Sequence, residues 1–337
     1  MATDLIDEPT AAPADAERLT PEPHAADVYS RPVFVMACVC LGTALLPIAL
    51  GAQTTTEGAG MAFLDYPTSN GEGMFEYDFS EADRPEFLEH GHRLAGTLIG
   101  FAAIGLCGTA LVLSDRKLVK GLSVGVLLAV ISQGLLGGVR VLRENTDLAA
   151  LHGFTAALTL SIIAATVVVS SRKWLTAPSA GGPLKGTKIL AVVAAVLLAG
   201  QYVLGGQMRH FGYAWAQTGH LHLSFWAFAS IVAAGVAAIR TRIPWLRSAG
   251  VLLHAVVTVQ MLLGFATWAQ KYGVQASGYV AQPTAPVTLY LRSTHMLVGT
   301  VLAATLASLI VRVWHVARPA DDAGSAAALA ASPTPSL

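Results

Sequence analysis

The sequence predicts an all-α, polytopic membrane protein: eight transmembrane helices forming two pseudo-symmetric four-helix halves. Three observations carry this reading. The 337 residues are 54% hydrophobic and only 12% charged, against about 25% charged in a soluble globular chain, and the mean hydropathy is +0.57. Eight apolar stretches free of Asp, Glu, Lys and Arg approach or exceed the length that crosses a hydrocarbon core of roughly 30 Å. Short motifs recur along the chain at matching places. The composition excludes a disordered chain, a coiled coil and a disulfide-stapled secreted domain. Lys+Arg 21 balance Asp+Glu 21, so there is no basic excess for a nucleic-acid partner.

The eight expected spans are residues 32–56, 94–114, 121–139, 148–171, 189–208, 210–239, 248–270 and 293–311. A ninth charge-free stretch, 272–291, is rich in Gly, Pro, Gln, Ser and Thr and reads as a loop. Orientation follows from Lys and Arg in the short connections. Arg116, Lys117 and Lys120 follow the second span, and Arg172, Lys173, Lys185 and Lys188 the fourth. Arg240, Arg242 and Arg247 follow the sixth, and Arg312 and Arg318 the eighth. That side is the cytoplasm, and both termini are inside.

The first external loop agrees, with eight carboxylates from Glu57 to Glu86 against Arg84. The acidic, Pro/Ala-rich start is neither a secretory signal nor a transit peptide. A bacterial plasma membrane is the simplest address. Residues 1–31 and 314–337 read as disordered cytoplasmic tails, 32–171 and 189–313 as the two halves, and 172–188 as the linker. Cys38, Cys40 and Cys107 fall inside expected helices with no CxxC pair, as small core residues.

The repeat is visible in both helix classes. Odd helices share the endings Gln133-Gly-Leu-Leu-Gly-Gly, Gln201-Tyr-Val-Leu-Gly-Gly and Gln260-Met-Leu-Leu-Gly-Phe. Among the even helices, Glu89-His90-Gly91-His92-Arg93 aligns without gaps on Gly219-His220-Leu221-His222-Leu223, and His152 on His295. His92, His152, His222 and His295 thus lie near the outer starts of the four even helices. One intramembrane histidine can be a packing residue; four at matching depths in a duplicated bundle mark a functional site.

Imidazoles from separate helices can clamp a porphyrin iron between them. Zinc fits less well, since no Cys, Asp or HExxH partner accompanies them. The preferred pairs are His92 with His152 and His222 with His295, giving two heme-sized sites. His90 and His220, two residues earlier, are the alternative ligands within each pair. His254 is alone on its helix and reads as structural, and His210 reads as a loop residue.

Arg93, Arg140, Arg143, Arg209 and Arg292 sit on the external side against the positive-inside bias. As a group they fit contacts to heme propionates; singly, each also fits a snorkelling side chain. The halves differ at Glu89, one turn before His92, where the second half has Gly219. One site then serves chemistry and the other electron transfer. A Glu complementing the helix N-terminus is the simpler reading of the same residue.

With Glu89-x-x-His92-Arg93, single histidines opening the later even helices, and the Gly-rich loop from Gly51 to Met61 with Asp65 and Pro67 beyond, the chain resembles the heme A synthase family over residues 32–313. The resemblance implies oxidation of the C8 methyl of heme O, through two hydroxylations, to the formyl of heme A for cytochrome oxidase assembly. It implies that His92 and His152 embrace the substrate heme O, that His222 and His295 ligate a resident heme b, and that Glu89 is the catalytic carboxylate. Some members carry a cysteine pair in the first external loop, which this chain lacks. Membrane lipid surrounds the bundle, and pathway logic adds the enzyme that makes heme O and an electron donor as partners; self-association stays open. The competing readings are a diheme b-type electron-transfer cytochrome and, behind it, a heme transporter.

Overall fold

The computed structural model describes residues 28–272 and 285–318. Those residues form eight helices long and apolar enough to cross a membrane, and the protein is a multi-pass membrane protein. The long helices are α1 (Arg31–Thr56), α2 (Arg84–Leu113), α3 (Lys117–Leu142), α4 (Thr146–Ser170), α6 (Lys185–Phe211), α7 (Ala214–Arg240), α8 (Pro244–Tyr272) and α9 (Pro286–Val316). A short helix, α5 (Arg172–Thr176), lies in the linker. The expected tails fall largely on residues 1–27 and 319–337, and most of the 272–291 loop on 273–284, all outside the described residues.

Seven of the eight spans run longer than their charge-free stretches; α7 runs shorter than its expected 210–239. α2 starts ten residues before the expected 94, because Asp83 caps it: its carboxylate accepts from Glu86 N at 2.9 Å, and the Glu86 side chain returns the bond to Asp83 N. Charged residues in its first turns are paired, so they do not end the helix. Residues 286–291, expected in a loop, form the first turns of α9 behind Pro286. His210 belongs to the last turn of α6 and not to a loop. The break comes at Gly212, whose φ of 69° is the left-handed conformation that glycine adopts at no steric cost.

Helix α1 packs on α2, α2 on α3, α3 on α4 and α4 back on α1; α6, α7, α8 and α9 close a second ring the same way. The rings meet chiefly through α4 on α9. Small residues fill the contacts: Ala37, Ala44, Ala103 and Ala110 in one ring, Ala194, Ala234, Ala238 and Ala249 in the other. Large apolar groups such as Phe101, Trp226, Leu262 and Phe265 point outward. Lipid tails are as apolar as leucine, so burying leucine gains little in a membrane. Close backbone approach over small residues decides the packing instead.

Residues 57–83 form a long loop between α1 and α2. Asp65 organises its tip by accepting from Thr68 Oγ1 at 2.6 Å, Gly71 N at 2.9 Å and Asn70 N at 3.1 Å. Burial pushes the Asp65 carboxyl up, but these hydrogen bonds together outweigh it and hold it below its ordinary value. A depressed folded-state pKa means the contribution to stability is complete above the unfolded value, about 3.9, and is lost as pH falls through the folded one. Hydrogen exchange at Gly71 is therefore expected to stay slow from neutrality to about pH 5 and to lose protection below about pH 4. Protection unchanged at the lowest pH would remove Asp65 from this role.

Candidate functional site

Four histidines meet in two pairs, all in the first turns of α2, α4, α7 and α9. His92 faces His152 with ring centroids 6.1 Å apart and planes at 87°. In the second ring of helices His295 faces His220, with centroids 6.3 Å apart and planes at 79°. His222, the expected partner of His295, is exposed on the outer surface of α7. The structure therefore sets His220, two residues before the expected His222, across from His295. Both sequences contain His-x-His, and a gap-free alignment matches that motif to itself; two residues of α7 turn the side chain about 200° around the helix, from the partner to the outside.

Each ring of the pairs rests on a glycine of the preceding long helix. A Cβ on Gly51 would stand 2.8 Å from His92, and on Gly264 3.0 Å from His295. On Gly137 and Gly205 it would stand 3.3 Å from His152 and His220. Four residues before these glycines come Pro47, Gln133, Gln201 and Gln260. The Pro47 carbonyl lies 2.9 Å from His92 Nδ1, and the Gln201 carbonyl 3.1 Å from His220 Nδ1. A carbonyl can only accept, so Nδ1 carries the proton in both rings and Nε2 keeps its lone pair. The missed signal was in the sequence: Gly137 precedes His152 by the same interval as Gly205 precedes His220, whereas His222 breaks that spacing.

This arrangement fits an iron porphyrin. Two imidazoles on opposite sides of one metal, with metal–nitrogen bonds of ~2 Å, put their ring centroids roughly 6 Å apart. A carbonyl holding the far ring nitrogen is the outer-shell partner that metal-bound histidines use. His152 Nδ1 and the amide oxygens of Gln133, Gln201 and Gln260 are buried without a hydrogen-bond partner, unspent polar capacity that packed helices seldom tolerate. Among the described residues no three His, Cys, Asp or Glu side chains gather as a metal-binding group.

Glu89 is buried, but it does not stand open beside the histidines. Its Oε2 accepts from Ala62 N at 2.7 Å and Phe63 N at 3.2 Å, and its Oε1 pairs with Arg93 Nη2 at 2.9 Å. Arg93 in turn donates from Nη1 to the carbonyls of Asp65 and Thr68 at 2.9 and 2.6 Å. The pair therefore rivets the 57–83 loop over α2. Arg140 adds a third tie, donating to the Gly60 carbonyl at 2.8 Å. His90, expected as a possible ligand or surface histidine, is buried beneath the loop. Its Nδ1 is 2.8 Å from Ser69 Oγ, and its ring packs against Tyr77 and Phe79.

Gln217 stands three residues before His220, as Glu89 stands three before His92. Gln217 Oε1 accepts from Lys271 Nζ at 2.6 Å. The halves thus differ by a carboxylate against an amide of the same shape. Of the remaining arginines, Arg209 ties the two rings of helices together by donating to Thr56 Oγ1 at 2.7 Å and to the Ala52 carbonyl. Arg292 is half-buried on α9, and Arg143 is exposed at the end of α3. His254, expected as structural, bonds within its own bundle, with Nδ1 2.7 Å from the Gly250 carbonyl and Nε2 3.2 Å from the Val232 carbonyl. Comparison with known proteins finds no matching family model and no matching curated protein.

Proposed function

We propose that this chain is a heme A synthase-type oxidoreductase of a bacterial plasma membrane, oxidising the C8 methyl of heme O to the formyl of heme A. The observation that carries the reading is the pair of facing imidazoles, occurring twice, each ring seated on a glycine at a spacing suited to one iron. The rest of the resemblance is consistent with it. In this reading α1–α4 and α6–α9 are halves related by a pseudo-twofold axis, both termini face the cytoplasm, and the histidine pairs lie toward the outer face.

His92 and His152 hold the substrate heme, and His220 and His295 the resident heme b. Heme iron supplies single-electron transfer between the two sites when bound. The chain's own groups do the remaining work. The Pro47 and Gln201 carbonyls fix two of the imidazole tautomers. The 57–83 loop shields the first site from water. Arg143 and Arg292 are the proposed cations for heme propionates; Arg140 and Arg209 join them only by releasing the Gly60 carbonyl and the α1 acceptors they hold, and Arg93 is committed to the loop and Glu89.

Glu89 is the carboxylate proposed to move a proton from the methyl, which requires its bonds to the loop to open when substrate binds. The engagement of both its oxygens is also the specific observation favouring a second reading, a diheme b-type electron-transfer cytochrome. The two separate cleanly. Membranes of cells making this chain together with heme O are expected to contain heme A or its hydroxylated precursor, identified by chromatography and mass. Heme O left untouched by correctly inserted, heme-loaded protein would select the cytochrome.

A further inference from the structure

At the end of the bundle opposite the histidine pairs, a second group of aromatic and cationic side chains serves none of these roles. The short helix α5 lays Trp174 on the end of α9, its ring centroid 3.6 Å from that of buried His315. Trp245 of α8 flanks the same imidazole at 5.7 Å. Arg318 donates from Nε to the His315 carbonyl at 2.7 Å and places Nη2 2.8 Å from His315 Nε2. The linker is fixed there by Ala180 N on the Val316 carbonyl and Ser179 Oγ on the Arg318 carbonyl, both at 2.7 Å.

Trp174, Ile310, Val311, Trp314, His315 and Arg318 line an open groove of about 420 Å³. Its walls are largely hydrocarbon. Cations stand at its mouth: Arg318 itself, and Lys188, whose ammonium lies 5.4 Å from the centre of the half-exposed Trp314 ring. Asp115 is the one carboxylate in the described loops at this end. An occupant must therefore be apolar along one part and anionic at the other, and must reach a groove at the end of a membrane-spanning helix. Tryptophan rings mark the head-group level of a bilayer, and basic pockets between helices at that level suit lipid phosphates.

We propose that this groove binds an anionic phospholipid, its acyl chain along Ile310, Val311 and Trp314 and its phosphate on Arg318 and Lys188. The proposal depends on the membrane character of the chain and not on the heme reading. The test is native mass spectrometry of the purified full chain in micelles with equal phosphatidylglycerol and phosphatidylethanolamine. One phosphatidylglycerol is expected to be retained with a preference of roughly tenfold, from two cations near the phosphate. The double variant Arg318→Glu/Lys188→Glu is expected to lose that preference. Arg242→Glu, on the turn between α7 and α8 and outside the groove, is expected to keep it.

Equal loss in Arg242→Glu, or none in the double variant, would reduce the effect to general surface charge and overturn the proposal. Trp314→Ala keeps the cations and is expected to weaken retention of both lipids; unchanged retention would contradict the acyl-chain placement. Displacement of the lipid by millimolar inorganic phosphate would assign the cations to a free anion. Binding that appears only after removal of residues 319–337 would make the chain's own C-terminal segment the occupant. Either result would end the lipid assignment.

Discussion

Replacing His220 with alanine is expected to abolish the resident low-spin heme b spectrum, while His222→Ala leaves it at wild-type intensity. The pair separates the two registers that the sequence allows. His220 stands across from His295 with centroids 6.3 Å apart, its Nδ1 on the Gln201 carbonyl and its ring on Gly205. His222 looks outward from the same helix. Changes to the partners that merely orient a metal ligand weaken binding about 10–100-fold, and loss of the ligand itself should exceed that. The measurement is the reduced-minus-oxidised spectrum per mole of purified chain, with a thermal melt as the folding control. A spectrum lost in His222→Ala and kept in His220→Ala would restore the pairing of His222 with His295.

Glu89→Gln is expected to abolish heme A formation, retain the resident heme b spectrum and lower stability sharply. The last effect comes from Arg93, which stays buried without its counter-charge; breaking such a pair from one side costs about 3–5 kcal/mol. The 57–83 loop should open first, because Ala62 N and Phe63 N lose a charged acceptor. A chemical role must therefore be separated from a structural one. In Glu89→Gln/Arg93→Met both charges are gone, and part of the lost stability should return. Heme A formation is expected to stay absent. Its recovery along with the loop would make Glu89 a positioning residue and give the proton transfer to another group.

How much of this was legible in the sequence depended on the kind of signal. The eight helices were, because a bilayer demands long apolar runs and few chains carry them for another reason. Their ends were less so: reading a span as charge-free cut α2 at residue 94, although its first turns keep Glu89, His90 and Arg93 buried by pairing them. The first histidine pair was readable from spacing and depth alone. The second is ambiguous in the sequence because His-x-His occurs twice, and only the glycine each ring rests on tells the two histidines apart.

The roles of the arginines were obscured for a different reason. Residues 57–83 have no periodicity, so nothing in the sequence indicated that they fold back over α2 and draw in Arg93 and Arg140 through backbone carbonyls. Cations that looked surplus at the helix ends are partly the anchors of that loop. Glu89 changes meaning in the same step. A carboxylate that appeared to face a pocket is also the acceptor for two loop amides.

Each histidine pair is proposed to hold one iron between two imidazoles, and electron paramagnetic resonance of the oxidised, purified chain is the decisive experiment. With planes at 87° and 79°, near-perpendicular ligands should give a strongly anisotropic low-spin ferric signal. One such signal is expected from the resident heme, removed by His220→Ala or His295→Ala, and a second on adding heme O, removed by His92→Ala or His152→Ala. A high-spin signal, or heme that stays low-spin after these substitutions, would contradict ligation by the two pairs.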